Sequence, residues 1–148
     1  MKKKIQIKCK GVLPRQGTPG SAGYDLFTDK EVLLNPHETK LVPTGCFMAI
    51  PNGYHGKIVL RSSTGLKTSI RMANQVGIID SDYRGEIMLP LENTSDRPLR
   101  IWAGERLCQI IIEKNIDVEY VMVEDLPPTE RGEGGFGSTN NKNKKEQK

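Results

Sequence analysis

The residues best suited to chemistry in this sequence lie in three short segments, and the first surrounds an aspartate. Residues 77–87 read Gly-Ile-Ile-Asp-Ser-Asp-Tyr-Arg-Gly-Glu-Ile, so an apolar strand ends at Asp80. A carboxylate held at the end of a buried strand can take a proton from water. Aspartate and glycine are also common in an ordinary β-turn, and both interpretations fit this segment taken alone.

The second segment offers groups that bind an anion. Residues 61–65 read Arg-Ser-Ser-Thr-Gly; they follow a predicted strand and begin a predicted helix. A planar cation, hydroxyls and unpaired backbone N–H groups at one point suit a phosphate. The alternative is a simple helix cap with a surface arginine.

The third segment is a glycine-rich stretch near the C-terminus. Residues 131–139 contain one arginine, Arg131, and one aromatic residue, Phe136. The pattern is not that of a phosphate-binding P-loop, which carries a lysine and follows a strand. A glycine-rich segment is often a linker. Phe136, however, has no core to join and can instead stack on a base.

Short β-branched segments bounded by turn residues must position these groups. The predicted strands are residues 5–9, 32–34, 40–50, 57–60, 86–91, 99–102, 106–112 and 118–123. Many short strands at this spacing indicate an all-β sandwich or barrel. One short helix is predicted over residues 62–72, capped by Ser62 or Ser63, with Leu66 and Ile70 facing inward.

Length and composition indicate one folded domain with extensions. The chain has 148 residues, of which 36% are hydrophobic, enough for a single core. We predict this core over residues 1–123. Residues 124–139 are predicted to form a mobile C-terminal arm, and residues 140–148 a disordered lysine-rich tail, because neither stretch can build a packed element.

The charge and the cysteines exclude several classes of protein. The formal charge of +4 comes from the ends, because five lysines lie in residues 1–10 and four in residues 140–148. The body between them is net acidic, so no nucleic-acid partner is expected. Three cysteines without close spacing argue against a disulfide framework and a zinc site. No apolar run forms a secretion signal or a membrane span, so we expect a soluble cytoplasmic protein without a membrane partner.

Placed in chain order, five segments resemble the five motifs of the trimeric dUTPase family. They are residues 22–26 (Ala-Gly-Tyr-Asp-Leu), 61–63 (Arg-Ser-Ser), 77–87, 104–110 (Gly-Glu-Arg-Leu-Cys-Gln-Ile) and 131–139. Any one of these motifs is weak evidence, whereas five in order with suitable spacing are specific. The resemblance runs from about residue 19 to residue 139, nearly the whole chain.

The resemblance implies a jelly-roll or β-barrel-like fold and a homotrimer in which three chains share each active site. It implies hydrolysis of dUTP to dUMP and pyrophosphate with Mg²⁺ as cofactor, which keeps uracil out of DNA and supplies dUMP for dTMP synthesis. Asp80 matches the family aspartate that activates the attacking water. Asp25 matches the aspartate that positions Mg²⁺ through water, and Tyr83 the tyrosine whose ring leaves no space for a 2′-hydroxyl.

The same resemblance implies which residues contact the nucleotide. The second and fourth motifs would hold phosphates, the hairpin of residues 74–79 would read uracil through backbone groups, and the arm would place its aromatic ring on the uracil and its arginine on the phosphates. The implied substrate-binding residues are Arg61, Ser62, Ser63, Asn74, Gly77, Ile78, Ile79, Asp80, Tyr83, Met88, Gln109, Arg131, Phe136, Gly137, Ser138 and Thr139.

Two serines depart from the family pattern. Ser63 and Ser69 stand where glycine is frequent in the family. Strain follows if Ser63 needs a backbone angle that only glycine adopts freely. Otherwise its hydroxyl offers one more group to a phosphate.

Two other functions fit parts of the sequence. The related dCTP deaminases also carry an Arg-Ser-Ser motif, but they depend on a glutamate about ten residues after the third-motif aspartate. Position 90 is Pro90 here, and Glu92 lies roughly 6.6 Å further on at about 3.3 Å per residue. A binding or regulatory protein that has lost turnover would lack Asp25, Asp80, Arg61 or the arm, and all are present.

Overall fold

Strands form nearly all the regular structure of residues 4–138, the residues that the computed structural model describes. In chain order they are β1 (Lys8–Gly11), β2 (Arg15–Gln16), β3 (Tyr24–Phe27), β4 (Val32–Leu34), β5 (Thr39–Pro43), β6 (Cys46–Ala49), β7 (Tyr54–Leu60), β8 (Ile70–Met72), β9 (Gly77–Ile79), β10 (Met88–Asn93), β11 (Leu99–Ile101) and β12 (Arg106–Lys114). A short helix, α1 (Ser62–Lys67), connects β7 to β8. The predicted all-β class with one short helix is confirmed.

Antiparallel pairing arranges these strands into four sheets. The largest has the order β2-β3-β12-β7-β9, and a three-stranded sheet has the order β5-β10-β8. Strand β1 pairs with β6, and β11 pairs with β4. Between β7 and β12, residue pairs run without a break from Cys108 opposite Leu60 to Lys114 opposite Tyr54.

The core forms because buried and less buried side chains alternate along the strands. In β10, Leu89, Leu91 and Asn93 are buried, while the residues between them are only half-buried. Successive side chains of a strand point to opposite faces, so this alternation gives each sheet one apolar face. The core also includes Leu26, Leu34, Val42, Met48, Ile58, Met72, Ile101 and Ile110. Burial of each such side chain contributes roughly 1.5–3 kcal/mol relative to exposure.

A buried threonine ties the chain before β10 to the turn between β5 and β6. The hydroxyl of Thr44, which is fully buried, donates a hydrogen bond to the carbonyl oxygen of Ile87 at 2.6 Å and accepts one from the backbone N–H of Cys46 at 3.2 Å. The N–H of Ile87 in turn donates to the carbonyl oxygen of Cys46 at 2.8 Å. These bonds fix the point at which the third-motif segment returns to the core.

The helix is shorter than predicted and is capped differently. It ends at Lys67, and the predicted helical residues 70–72 form β8 instead. The hydroxyl of Thr68 donates to the carbonyl oxygen of Thr64 at 2.7 Å and accepts from the N–H of Ile70 at 3.1 Å, so it competes with further helical bonds. The N-cap is Arg61, without a side-chain cap bond, so neither serine caps the helix. Leu66 is exposed, contrary to the prediction.

Three of the predicted strands differ clearly from the structure. The strand predicted over residues 5–9 is found at Lys8–Gly11 instead. The strand predicted over residues 40–50 is broken in two, because Gly45 adopts a φ of 63° that an extended strand does not permit. The strand predicted over residues 118–123 is absent, and these residues are exposed and belong to no regular element. β-Branched residues favour a strand only where a neighbouring strand accepts their backbone hydrogen bonds, and within residues 4–138 no strand pairs with this segment.

The chain divides into two units, residues 1–116 and residues 117–148. All the strands and α1 belong to the first unit. The described part of the second unit, residues 117–138, holds turns and irregular backbone. None of the helical structure described between residues 4 and 138 is long and apolar enough to span a membrane.

The Thr44 hydrogen bonds can be tested by Thr44→Val, which keeps the shape of the side chain and removes the hydroxyl. We expect a loss of stability of about 1–3 kcal/mol, since two buried backbone groups lose this partner. The measurement is the denaturation midpoint at fixed protein concentration. Thr39→Val is the matched control, because Thr39 is exposed at the start of β5. Equal midpoints for both variants would show that the buried hydroxyl is not a stabilising contact.

Candidate active site

A carboxylate between two arginines forms the first part of the site. Asp25 lies on β3, and its side chain is 11% exposed. Its Oδ1 contacts Nε of Arg61 at 3.0 Å, and its Oδ2 contacts a terminal nitrogen of Arg106 at 3.2 Å. The two guanidinium groups are therefore held on either side of one carboxylate, and the cluster carries a net positive charge.

Arg106 reaches this position because β12 contains a β-bulge. Gln109 pairs with Asp25, whereas Arg106 pairs with Phe27, so the register shifts by one residue between them. In a regular strand, residues three apart face opposite sides, and the extra residue returns Arg106 to the face of Asp25. Leu107 is buried together with its neighbour in sequence, as a bulge allows. Arg106 was not predicted from the sequence, in which two adjacent apolar residues in a strand were the available signal for the bulge.

Backbone hydrogen bonds hold Arg61 in place. Its N–H donates to the carbonyl oxygen of Leu107 at 2.9 Å, and a terminal nitrogen of its side chain donates to the carbonyl oxygen of Arg106 at 3.0 Å. A guanidinium has five N–H donors, so Arg61 keeps donors for a further anion. The site can therefore bind a phosphate without breaking the contact with Asp25.

The glutamine of the fourth motif lies against a glycine of the first. Gln109 Nε2 donates to the carbonyl oxygen of Leu60 at 3.4 Å. A Cβ on Gly23 would lie 2.9 Å from Cδ of Gln109 and closer still to its Oε1. Gly23 is buried, so only a residue without a side chain leaves room for this amide. The sequence analysis did not assign this role to Gly23.

The serines of the second motif begin α1. Ser62 is exposed and Ser63 is half-buried. Neither Ser63 nor Ser69 has a positive φ, so these departures from glycine carry no backbone strain. The structure places both hydroxyls of the second motif immediately after Arg61.

The second part of the site is the turn after β9. Asp80 is exposed and follows Ile79 directly. A cavity of about 180 Å³ lies beside it, lined by Ile78, Ile79, Asp80, Tyr83, Glu86 and Met88. The N–H of Tyr83 donates to the carbonyl oxygen of Asp80 at 3.2 Å, and its hydroxyl donates to the carbonyl oxygen of Glu86 at 2.8 Å. The ring is thus fixed over its own turn.

The hairpin that precedes this turn connects β8 to β9. Gln75 has a φ of 59°, and the N–H of Val76 donates to the carbonyl oxygen of Asn74 at 2.6 Å. Gly77 is buried, and a Cβ there would lie 3.4 Å from Cβ of Ile58. The structure therefore brings Ile78, Ile79, Asp80, Tyr83 and Met88 to one cavity. Asn74 lies next to Gly77, since a Cβ on that glycine would lie 3.6 Å from Nδ2 of Asn74.

Within one chain, the Asp25 cluster and the turn after β9 lie far apart. Strand β9 pairs with β7 so that Ile79 lies opposite Gly56, and Asp80 therefore stands near the start of β7. Arg61 follows the other end of β7, five residues beyond Gly56. Asp80 is one residue further from Arg61 than Ile79 is, so at about 3.3 Å per residue the two positions lie roughly 20 Å apart.

The arm residues belong to the second unit of the chain. Arg131 donates from Nε to the carbonyl oxygen of Gly134 at 2.7 Å. Phe136 is fully exposed with a φ of 50°, and Gly137 has a φ of 87°. Ser138 is exposed, and Thr139 lies outside the described residues. The place of these residues in the site stays a prediction.

The thiol of the fourth motif is not a nucleophile or a metal ligand. Cys108 is buried, and this burial raises the pKa of its thiol to about 12. Burial also raises the pKa of the Cys46 thiol to about 11. Both thiols are therefore protonated at neutral pH, whereas nucleophilic and metal-binding cysteines act as thiolates.

The donor set fits a divalent cation only through water. Within residues 4–138, no group of three or more His, Cys, Asp or Glu residues could hold a metal ion. Both oxygens of Asp25 contact an arginine, but a carboxylate oxygen accepts more than one hydrogen bond. A water on a cation can therefore donate to Asp25 while the cation takes direct ligands from a phosphate chain.

The position of Glu92 does not suit the deaminase alternative. Glu92 pairs with Thr39 and Arg71 in the middle of the three-stranded sheet. It lies four residues beyond Met88, the nearest residue of β10 that lines the cavity, or roughly 13 Å along the strand. No glutamate of β10 therefore lies beside Asp80.

Comparison with known proteins agrees with the arrangement of these motifs. The dUTPase family model matches residues 10–140. The deoxyuridine 5′-triphosphate nucleotidohydrolase of Finegoldia magna is 45% identical over 141 residues, covering 94% of this chain and 99% of that protein. The protein of the same name from Helicobacter pylori is 39% identical over 140 residues, covering 94% and 97%.

Solved structures show the same fold. A mutant dUTPase of Staphylococcus bacteriophage 80alpha with dUpNHpp has a TM-score of 0.84 at 27% identity, covering 92% of this chain and 99% of that chain. The family model and the relatives both span nearly the whole sequence. The chain therefore belongs to the dUTPase family.

Proposed function

We propose that this protein hydrolyses dUTP to dUMP and pyrophosphate. The observation that carries the proposal is the turn after β9, where Asp80 and the ring of Tyr83 line one cavity. A carboxylate beside a closely fitting sugar pocket suits hydrolysis of a deoxyribonucleotide. Membership of the dUTPase family supports the same activity, and solved relatives carry dUpNHpp, an analogue of dUTP.

In the proposed mechanism, Asp80 accepts a proton from a water molecule whose oxygen attacks the α-phosphorus. The bond from the α-phosphorus to the bridging oxygen breaks in line with this attack, so pyrophosphate leaves and dUMP remains. Arg61 and Arg106, fixed by Asp25, hold the negative charge that grows on the leaving group. Positioning and electrostatics supply most of the catalysis in such a reaction.

Mg²⁺ carried by dUTP would supply further positive charge to the phosphates, and Asp25 would hold it through water. The hydroxyls of Ser62 and Ser63 and the amide of Gln109 would add neutral donors to the same phosphate chain. Uracil would be read by backbone groups of residues 74–79, beside the ring of Tyr83.

The active unit is proposed to be a homotrimer with shared sites. The backbone positions of Asp80 and Arg61 in one chain lie roughly 20 Å apart along β7. A reacting atom and the groups that act on it must approach within about 3–3.5 Å. One chain alone therefore does not complete the site, and we propose that Asp80 and Arg61 come from different chains while the arm of residues 124–139 closes over them.

The proposed location is the cytoplasm. The cysteines Cys9, Cys46 and Cys108 are unpaired, which suits a reducing compartment. Hydrolysis of dUTP there would keep uracil out of DNA and supply dUMP for dTMP synthesis.

The activity is tested by anion-exchange analysis of the products from dUTP and dCTP, with and without EDTA. We expect equal amounts of dUMP and pyrophosphate from dUTP, no deamination of dCTP, and loss of activity in EDTA that excess Mg²⁺ restores. Conversion of dCTP to a uracil nucleotide would identify a deaminase. Binding of dUTP without turnover would identify a regulatory protein.

The shared site is tested by combining two inactive variants. We expect Asp80→Asn to lower turnover by about 10²–10⁴, the effect of a lost general base, and Arg61→Ala also to be strongly impaired. When the two variants are co-expressed, about one quarter of the sites in randomly mixed trimers would receive an intact Asp80 and an intact Arg61 from different chains. The dUTP hydrolysis of each variant measured alone gives the baseline activity.

Activity of the mixture near a quarter of the parent value would support sites that combine chains. Activity no higher than that of the single variants would contradict the proposal, because it would place both residues of each site on one chain. Sedimentation equilibrium is the control, and it should give three times the chain mass of 16.5 kDa for the parent, both variants and the mixture.

The C-terminal arm is tested by two truncations. Removal of residues 140–148 should leave activity nearly unchanged, whereas removal of residues 131–148 should lower activity strongly. Loss of an arginine that contacts the reacting phosphates lowers rates by about 10³–10⁵, and loss of stacking by Phe136 costs roughly 1–3 kcal/mol. Steady-state dUTP hydrolysis is the measurement, and melting temperature is the control. Full activity of the shorter chain would show that the arm has no role in catalysis.

A further inference from the structure

The ring of Tyr83 occupies space that exists only because residue 85 is glycine. A Cβ on Gly85 would lie 2.6 Å from Cζ of Tyr83, 3.0 Å from Cε2 and closer still to the hydroxyl oxygen. Carbon atoms in contact are normally about 3.5–4.0 Å apart. The ring therefore cannot keep its present position beside any residue that carries a side chain.

Gly85 is needed for this space and not for its backbone freedom. Its φ is not positive, in contrast to Gly45 or Gly53, so alanine fits its backbone conformation. A substitution there acts on the ring of Tyr83 and not on the course of the chain. This separates the effect of Gly85 from the usual effect of replacing a turn glycine.

The turn around the ring is fixed by hydrogen bonds. The hydroxyl of Tyr83 donates to the carbonyl oxygen of Glu86 at 2.8 Å. The side chain of Glu86 in turn accepts from the N–H of Gly45 at 2.8 Å, which joins this turn to the one between β5 and β6. Arg84 donates to the carbonyl oxygen of Tyr83 at 2.9 Å. The ring of Tyr83 is thus held in place through its hydroxyl and lies next to Gly85.

We propose that Gly85 is a positioning residue that sets selectivity for deoxyribonucleotides through Tyr83. The inference rests on the proposed function, in which the Tyr83 ring excludes a 2′-hydroxyl. The ring forms one wall of the cavity beside Asp80, so a displacement of the ring changes the shape of the sugar pocket. A side chain at position 85 displaces it and breaks the hydroxyl bond to Glu86.

The first experiment compares kcat and KM on dUTP and UTP for the parent, Gly85→Ala, Tyr83→Ala and the double variant. We expect Gly85→Ala to raise the ratio of kcat/KM for UTP to that for dUTP by roughly 10-fold or more, as Tyr83→Ala does. In the Tyr83→Ala background, Gly85→Ala should cause no further change, since the ring it would displace is gone. In Gly85→Ala, kcat on dUTP should fall by a smaller factor than the ratio of kcat/KM for dUTP to that for UTP.

Gly20→Ala is the matched control, because a Cβ on Gly20 would meet nothing within 4 Å and its φ is not positive. It should leave both kinetic constants and the selectivity unchanged. If Gly85→Ala fails to assemble at the parent mass, the double variant should restore assembly, because it removes the clashing ring. Failure of that rescue would contradict the steric proposal.

The outcomes distinguish this inference from the function on which it rests. A parent enzyme that hydrolyses dUTP and rejects UTP supports the proposed function before any variant is measured. Parent-like selectivity of Gly85→Ala in that case overturns only the role of Gly85, and so does an additive effect in the double variant. A parent that hydrolyses UTP as fast as dUTP removes the role of Tyr83 and this inference together.

Discussion

The pairing of β7 with β12 is the interaction on which the rest of the candidate site depends. It fixes β7 in the largest sheet between β12 on one side and β9 on the other. Arg61 then follows one end of β7, and Asp80 lies beside the other end. A shift of register by one residue would turn the buried Ile58 outward, so the core itself holds this register. The distance between the two parts of the site is therefore a property of the core, and the proposal of a site shared between chains rests on it.

Asp25 holds two arginines together, which differs from the role in positioning Mg²⁺ that its motif suggests. Two guanidinium groups repel each other, and the carboxylate of Asp25 between Arg61 and Arg106 makes their approach favourable. Its side chain is mostly buried, so removal of either arginine would leave the charge poorly compensated. Because two cations face one anion, the cluster keeps positive charge for a ligand. A carboxylate thus helps to build the proposed phosphate site, and the proposed contact with a cation through water would add to that role without replacing it.

The sequence predicts those features of the fold that depend on local composition, and misses those that depend on partners. The strands β4, β10 and β11 were recognisable because short runs rich in apolar residues stand between turn residues. The end of α1 was not, because the hydroxyl of Thr68 competes with helical bonds from outside the apolar pattern. Residues 118–123 have the composition of a strand, but composition does not state whether a partner strand is present. In the site, Asp80 and Arg61 were recognisable as polar residues that follow apolar strands, whereas the contact of Arg106 with Asp25 depends on a bulge opposite another strand.

The glycines of the motifs are best understood together with the side chains that lie beside them. Gly104 of the fourth motif adopts a positive φ, so the chain needs its conformational freedom. Gly23 and Gly85 do not, and each instead leaves space for one polar side chain, that of Gln109 or Tyr83. The sequence alone does not distinguish these two reasons for a glycine. In the first case, a substitution changes the path of the backbone. In the second case, it changes the position of a neighbouring side chain. A glycine close to a functional side chain therefore has to be judged by the space that a Cβ would fill, and by that measure two motif glycines belong to the function of the residues beside them.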